Sequence, residues 1–86
     1  MEIDEIFPYG NLLGGTDVIV YSVKDIGAAL RAARKQQGLT QRDVADACRC
    51  GTRFISGLEN GKQTVEMGLA IRVLNTVGLD LDLQER

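Results

Sequence analysis

The polar side chains between Gly38 and Lys62 suit hydrogen bonding to an anion or a nucleobase edge. This stretch places an amide at Gln41, a guanidinium at Arg53 and a hydroxyl at Ser56. An arginine can donate two hydrogen bonds to a guanine, and the free amides of a helix that opens at Gln41 attract an anion. Two short helices joined by a tight turn would present such groups together. The pattern therefore favours a helix placed in the major groove of DNA.

Catalytic and metal-binding chemistry lack the residues that they need. The chain has no histidine, and we find no clustered carboxylates or phosphate-cradling glycine loop for acid–base or nucleophilic work. Cys48 and Cys50 form a C-x-C pair, but a zinc site would need further ligands. We interpret both cysteines as small hydrophobic residues near the turn. The sequence thus predicts no enzyme, no cofactor and no metal.

The net charge of −2 hides a strong polarity along the chain. Residues 24–62 carry eight basic and four acidic side chains, a local charge of +4, whereas residues 1–23 carry −4 and residues 63–86 carry −2. Affinity for DNA depends on the local field and on the number of phosphates neutralised, so the basic centre matters more than the total. A solvated helix face would give the same split, which makes charge a supporting observation only.

Length and composition indicate one globular domain. A chain of 86 residues with 44% hydrophobic residues buries only about 60–65% of its unfolded surface, so association with a second copy is expected. There is no apolar run near the roughly 20 residues of a membrane span. The acidic start, with Glu2, Asp4 and Glu5, has the wrong sign for a secretory signal, which predicts a reducing cytoplasm.

Capping residues and glycines predict four helices. Ser22 to Asp25 and Thr40 to Asp43 each have the form of a capping box, and Gly38 ends the first helix. A third helix begins at about Thr52 and stops at Gly61; a fourth opens over residues 64–67 and ends at Gly78. The inward residues predicted from helical spacing are Ile26, Ala29, Leu30, Ala33, Val44, Ala45, Cys48, Ile55, Leu58, Leu69 or Ala70, Val73, Leu74 and Val77.

After Gly78 the hydrophobic period changes from helical to alternating. Leu79, Leu81 and Leu83 alternate with polar residues, which predicts a half-buried strand. A strand needs a partner for its backbone groups. The partner is either the same strand of a second subunit or the β-branched run at 17–21, and a small interface sheet could use both. Residues 1–16 are apolar but interrupted by glycine and proline, so they predict a packed arm without a regular element.

The central motif resembles the helix-turn-helix domain of the phage repressor and Cro (Xre-like) family. The residues that carry the resemblance are Leu39-Thr40-Gln41, Val44-Ala45, Phe54-Ile55-Ser56, Leu58-Glu59 and Gly61. It covers about residues 25–83, and it implies a mainly α, compact four-helix, lambda-repressor-like DNA-binding domain with a short C-terminal strand. We expect an N-terminal arm at 1–21, the domain at 22–78 with its motif at about 40–60, and a dimerisation strand at 79–86.

The resemblance also implies roles for individual residues. Thr52, Arg53, Ser56 and Gly57 match positions that face base edges, while Gln41, Arg42, Asn60 and Lys62 match backbone contacts. An ordinary exposed helix face and a solvated loop cation remain the alternatives. The implied DNA-binding residues are Gln41, Arg42, Gly51, Thr52, Arg53, Ser56, Gly57, Asn60 and Lys62. The family also pairs an arginine near the end of the first helix with a glutamate at the end of the third, here Arg34 and Glu59.

Two residues depart from the family pattern at the turn. Arg49 stands where glycine is usual and would need a left-handed backbone, at a cost of order 1 kcal/mol. Gly51 stands where a serine often caps the third helix. The turn is then either shifted, or its cap falls to Thr52.

The segment from Leu58 to Leu83, with a fourth helix followed by an alternating strand, resembles antitoxins of the HipB type. That branch implies a homodimer that binds a pseudo-palindromic double-stranded operator, represses its own operon and holds a HipA-type kinase toxin. The competing hypothesis is a protein-interaction module that keeps the scaffold without binding DNA. Arg49, Gly57 and the acidic total favour that alternative.

Overall fold

The computed structural model describes residues 18–85, and this part of the chain contains four α-helices and no β-strand. The helices are α1 (Val23–Gln36), α2 (Gln41–Cys48), α3 (Thr52–Glu59) and α4 (Met67–Thr76). The predicted mainly α, four-helix fold is therefore confirmed. The expected arm over residues 1–16 lies outside the described residues, as do Asp17 and Arg86.

Side-chain caps begin α1 and α2. The Ser22 hydroxyl accepts from the Asp25 amide at 3.4 Å, but the Asp25 carboxylate accepts from the Tyr21 amide rather than from that of Ser22. In α2 both bonds of the capping box between Thr40 and Asp43 are present. These hydrogen bonds satisfy amides that a helix leaves free in its first turn.

The α3 and α4 helices begin in different ways. Gly51 is the N-cap of α3 and makes no side-chain hydrogen bond, so the cap does not fall to Thr52. The α4 helix begins at Met67, where the Glu66 carboxylate accepts from the amides of Gly68 and Leu69. This start lies within the predicted opening over residues 64–67, and the Glu66 carboxylate satisfies two amides that the first turn leaves free.

The core lies where the four helices meet, and it is almost wholly aliphatic. Its members are Ile26, Leu30, Val44, Ala45, Cys48, Ile55, Leu58, Ala70, Val73, Leu74 and Val77. Of the residues predicted to point inward, Ala29, Ala33 and Leu69 are only half-buried. Helical spacing therefore identified the correct faces of the helices. Of the two alternatives that it left open on α4, Leu69 and Ala70, the buried residue is Ala70.

The α1 and α3 helices approach each other closely at Gly27. A Cβ on Gly27 would overlap the carbonyl oxygen of Leu58 and lie 2.9 Å from the Cα of Glu59. Only glycine allows the two backbones to come this close. The contact sets the position of the last turn of α3 on α1.

Long side chains from α1 and α4 cap the ends of other helices. Arg72 donates to the Cys48 carbonyl, which ends α2, at 2.8 Å. Gln37 donates to the carbonyl of Val77, just after α4, at 2.8 Å. Both bonds satisfy carbonyls that have no partner within their own helix. The α4 helix is thus tied to the turn that precedes α3.

The expected strands do not form within the single chain. Residues 18–21 and 79–85 have no regular secondary structure. The physical reason is that a strand exists only as part of a ladder, and neither segment pairs with the other here. Leu79 is half-buried against the core, whereas Leu81 and Leu83 are exposed. Pairing across a dimer remains a prediction.

Candidate nucleic-acid interface

The α3 helix presents a polar side to solvent because its apolar side is fully used by the core. Ile55 and Leu58 are completely buried. With 3.6 residues per turn, Arg53, Ser56 and Gly57 lie on the other side of the helix. Arg53 is exposed, Ser56 and Gly57 are half-buried, and both Thr52 at the start of the helix and Asn60 at its end are exposed.

The turn before α3 has the unusual backbone expected of it. Arg49 is the only non-glycine residue with positive φ in the described chain, at φ 59 and ψ 48. Its amide bonds the Asp46 carbonyl, and the Cys50 amide bonds the Ala45 carbonyl at 2.9 Å. The turn therefore forms without glycine at its left-handed position, Arg49, and α3 starts at Thr52.

A shallow groove runs beside this turn, between α2 and the start of α3. Its lining residues are Arg42, Ala45, Asp46, Cys50, Gly51 and Thr52. Gly51 leaves this groove open, since a Cβ there would meet only the Arg53 amide nitrogen at 3.9 Å. The groove thus brings three of the predicted DNA-binding residues, Arg42, Gly51 and Thr52, to one surface.

Arg34 and Glu59 form a bidentate ion pair that joins α1 to the end of α3. Arg34 Nε donates to Glu59 Oε2 at 2.7 Å, and Arg34 Nη2 donates to Oε1 at 2.9 Å. The two side chains are only 9% and 4% exposed. Arg34 Nη1 also donates to the carbonyl of Leu39 at 2.9 Å, so the guanidinium holds the α1–α2 connection as well. Two planar groups matched in this way restrict the geometry of both helices.

Charge and hydrogen bonding stabilise the ionised form of this pair. Burial alone raises the pKa of Glu59, but hydrogen bonds from Arg34 and Gln41 and the positive charges of Arg34 and Arg31 outweigh it, so the pKa lies below its ordinary value. The hydrogen bond to Glu59 raises the pKa of Arg34 above its ordinary value. The pair is therefore fully charged at neutral pH.

Gln41 connects the start of α2 to the same carboxylate. Its Nε2 donates to Glu59 Oε1 at 3.1 Å. The side chain is half-buried at the helix N-terminus, where free amides and the macrodipole favour an anion. Glu59 thus meets α1, α2 and α3 together, and Gln41 is the member of this network nearest to solvent.

Arg42 and Lys62 are exposed cations on either side of the network. Arg42 lies 3.4 Å from Asp46, but both side chains are mostly exposed, at 77% and 69%, so this pair holds Arg42 only weakly. The Lys62 stem lies against Gly57, since a Cβ on that glycine would be 3.6 Å from Lys62 Cδ. Gly57 therefore makes room for a lysine beside the exposed side of α3.

The two cysteines are free thiols packed near the turn. Cys48 is buried and its Sγ lies 3.2 Å from the Thr76 hydroxyl; Cys50 is half-buried. Burial raises the pKa of the Cys50 thiol, with a further rise from Cys48, so it reacts less readily than an exposed thiol. Among residues 18–85 there is no group of three potential metal-ligating side chains.

Two residues that position the site were not singled out in the sequence. Gly27 had a usable signal, since glycine inside a helix costs about 0.5–1 kcal/mol relative to alanine and so indicates a close approach. Arg72 had none, because its carbonyl partner is 24 residues away in the sequence. Both act on the position of α3 rather than on a ligand.

The helix-turn-helix domain family matches residues 25–86, most of the chain. The chain belongs to the helix-turn-helix family. The expected helix-turn-helix family is thereby confirmed, supported by a relative named an HTH-type transcriptional regulator.

Relatives by sequence have regulatory names. An uncharacterized HTH-type transcriptional regulator, y4mF of Sinorhizobium fredii, is 44% identical over 59 residues, which cover 69% of this chain and 78% of that protein. The competence pilus inhibition repressor of Acinetobacter baylyi is 51% identical over 39 residues, which cover 45% of this chain but only 36% of that protein.

Solved structures with the same fold include complexes of HipB. A HipB-O4 20mer complex superposes with a TM-score of 0.74 at 23% identity, covering 80% of this chain and 97% of that chain. A HipA-HipB-O2-O3 complex gives the same TM-score, identity and shares of the two chains. At 23% identity, this similarity shows only that the fold is shared.

These findings make this helix-turn-helix protein a DNA-binding transcriptional regulator in its broad class. Members of the family bind DNA and are not enzymes, in agreement with the expected lack of catalytic activity. In residues 18–85, no helix is both long and apolar enough to cross a membrane.

Proposed function

We propose that this protein is a dimeric repressor that reads a pseudo-palindromic operator with α3 and serves as the autoregulating antitoxin of a HipA-type kinase toxin. The observation that carries the proposal is the exposed side of α3, held rigidly by the buried Arg34–Glu59 pair beside the N-terminus of α2. A rigid helix with its polar side free is the arrangement that enters a major groove.

Direct reading of bases falls to the start of α3. Arg53 donates two hydrogen bonds to a guanine, a contact worth about 1–3 kcal/mol of discrimination. Thr52 contacts a thymine methyl or a phosphate, and Ser56 supports the same readout. Gly51 and Gly57 contribute by allowing close approach of the backbone.

Contacts to the DNA backbone fall to residues at both ends of the motif. Gln41 and Arg42 lie at the N-terminus of α2, and Asn60 and Lys62 follow α3. Phosphate contacts position a protein on the duplex without specifying sequence. For Gln41 this role requires that its side chain shares its hydrogen bonds between Glu59 and a phosphate.

Dimerisation is supported by apolar side chains that the single chain leaves exposed. Leu81 and Leu83 are 39% and 97% exposed, and Val18, Ile19 and Tyr21 are also largely exposed. Such residues are unfavourable on the surface of a monomer unless a partner covers them. The segments at 18–21 and 79–83 therefore suit strand pairing between two copies, which sets the spacing of two α3 helices.

The relatives support the regulatory part of the proposal and point toward the toxin. One is named a transcriptional regulator and another a repressor. HipB, which shares the fold, occurs in a complex with HipA. We carry the HipA-type partner to this chain on that likeness together with the HipB-like segment from Leu58 to Leu83.

Footprinting of the DNA upstream of its own gene tests operator binding. We expect protection of two half-sites about one helical turn apart. Three cations per subunit on phosphates would give a log–log salt slope of about −5. The absence of protection at moderate salt would contradict the proposal and favour a scaffold that does not bind DNA.

Two substitutions separate the expected kinds of contact. Arg53→Ala should relax preference at one base position. Lys62→Ala should weaken operator and random duplexes alike and, because each subunit of the dimer loses one cation, make the salt slope shallower by about 1.8. Equal effects of Arg53→Ala on every duplex would show that Arg53 does not read bases.

The antitoxin role has a separate test. A kinase-like gene next to this one should encode a protein that co-purifies with the chain, and the complex should protect the same DNA. If no such gene is adjacent and no kinase-like protein co-purifies, the antitoxin role fails while the repressor role stands.

A further inference from the structure

One edge of α1 carries basic side chains beside the end of α3. Lys24 and Arg31 are seven residues apart, which places them on the same side of α1, and both are exposed. That side also contains Gly27 and borders Arg34, the residues through which α1 contacts Leu58 and Glu59. We call Lys24 and Arg31 the α1 basic edge.

The α1 basic edge lies next to the loop that follows α3. A Cβ on Gly61 would be only 3.0 Å from the Cα of Lys24. Arg31 is close enough to Glu59 for its charge to act on that carboxylate. The edge therefore adjoins Asn60 and Lys62, the expected backbone contacts.

Helix stability does not explain these cations. Lys24 lies in the first turn of α1, where the macrodipole disfavours a positive charge. Within residues 18–85, no ion pair joins either side chain to an acidic group. Glu59, the carboxylate on which the charge of Arg31 acts, is already bound by Arg34 and Gln41. Among the residues that the structure describes, the edge thus presents positive charge without an ion-pair partner.

We infer that Lys24 and Arg31 contact DNA phosphates and extend the backbone contact of Asn60 and Lys62 onto the first helix. This inference rests on the proposed function, because it requires α3 to lie in the groove. With α3 inserted, the α1 basic edge lies on the flank of the duplex strand that the 60–62 loop approaches. Lysine and arginine stems are long enough to follow a backbone without fixed geometry.

The salt dependence of DNA binding tests the inference. Fluorescence anisotropy would follow binding of the intact chain to two labelled duplexes of equal length, one from upstream of its own gene and one of random sequence. Lys24→Gln and Arg31→Gln each remove one cation, or two per dimer, so each should make the log–log slope shallower by about 1.8 between about 50 and 200 mM salt. Both duplexes should be affected alike, and Arg31→Lys should restore the slope.

Gln36→Glu provides the matched control. Gln36 is exposed at the end of α1 on a different side of the helix, and its substitution lowers the net charge by the same single unit. It should leave the slope unchanged. Circular dichroism would verify that all variants fold.

The outcomes distinguish the inference from the function beneath it. If the unchanged chain binds neither duplex with a salt-dependent affinity, the proposed function fails, and the inference with it. If the unchanged chain binds but Lys24→Gln and Arg31→Gln keep its slope, or change it no more than Gln36→Glu does, only the inference is overturned.

Discussion

At the scale of single residues, Glu59 is the point on which the site depends, because its carboxylate receives hydrogen bonds from α1 and α2 while belonging to α3. We predict that Arg34→Met costs about 3–5 kcal/mol of unfolding free energy, since it leaves a buried carboxylate without its ion partner. Urea unfolding measures the change. Arg42→Met is the control, because the exposed Arg42–Asp46 pair contributes about 0–1 kcal/mol. A cost for Arg34→Met no larger than the control would refute a structural role for the pair.

The same carboxylate predicts a pH dependence. The pKa of Glu59 is lower in the folded protein than its ordinary value of 4.5, so its stabilisation is present above that value and is lost as the pH falls through the folded-state pKa. Asp43, whose pKa is lowered by hydrogen bonds to Thr40, titrates in the same acidic range. The difference in unfolding free energy between the unchanged chain and Glu59→Gln isolates Glu59. It should shrink below about pH 4.5; a constant difference down to pH 3 would contradict the prediction.

Arg49 is a residue in a backbone conformation that favours glycine. Its left-handed φ of 59 costs about 1 kcal/mol, and Arg49→Gly should recover part of this, offset by the greater freedom of glycine in the unfolded chain. Thermal unfolding should show a small rise in Tm. Gly38→Ala is the opposite test, since Gly38 has φ 72 and open space around it, so backbone strain is added without a steric overlap and Tm should fall. A lower Tm for Arg49→Gly would contradict the prediction, because the strain relieved would then be smaller than the stabilisation lost.

At the scale of elements, the crossing of α1 and α3 determines where the recognition surface points. Gly27→Ala should cost about 1–3 kcal/mol, because the new Cβ overlaps backbone of Leu58 that cannot rotate away. Gly57→Ala, also inside a helix, should instead stabilise by about 0.5–1 kcal/mol, because its Cβ meets only the Lys62 stem at ordinary distance. Chemical denaturation of both variants gives the comparison. If both variants change the unfolding free energy with the same sign and by the same amount, the α1–α3 crossing is not tightly packed.

The sequence predicts elements wherever the deciding contacts are local. Thr40 with Asp43 identifies the start of α2 because the reciprocal hydrogen bonds span three residues. The start of α4 was predicted only as lying within residues 64–67; the structure begins it at Met67, with Glu66 as its cap. The partners Gln37 and Val77 are 40 residues apart, so no local pattern reveals their bond.

The candidate site, like the helices, was predictable from the sequence only where the deciding contacts are local. Helical spacing predicts that Arg53 faces away from Ile55, because that depends only on the period of α3. It cannot predict that Arg34 lies 2.7 Å from Glu59, which is 25 residues away; family resemblance supplied that expectation. The packing of Lys62 on Gly57 was not expected, because it depends on the path of the loop after Asn60.

At the scale of the whole molecule, a small core leaves apolar surface that a second copy could cover. Leu83 is 97% exposed, and Met67 and Ile71 on α4 are 46% and 39% exposed. A domain of this size gains stability by association, since little of its surface is buried alone. A dimer would also place two basic centres on one duplex. A monomer has a single basic centre, in a chain whose net charge is −2.

Removal of residues 79–86 should therefore convert dimers into monomers in sedimentation velocity. Truncation also removes Leu79, which packs on the core and whose amide donates to the Leu74 carbonyl at 2.9 Å, so it disturbs α4 as well. A second variant that keeps Leu79 is therefore needed. Leu81→Lys with Leu83→Lys keeps that contact and changes only exposed side chains. Charges on both leucines should prevent burial against a second copy, giving monomers with unchanged helical content. If these lysine variants remain dimeric, the alternating segment does not hold the subunits together, and the exposed face of α4 becomes the alternative interface.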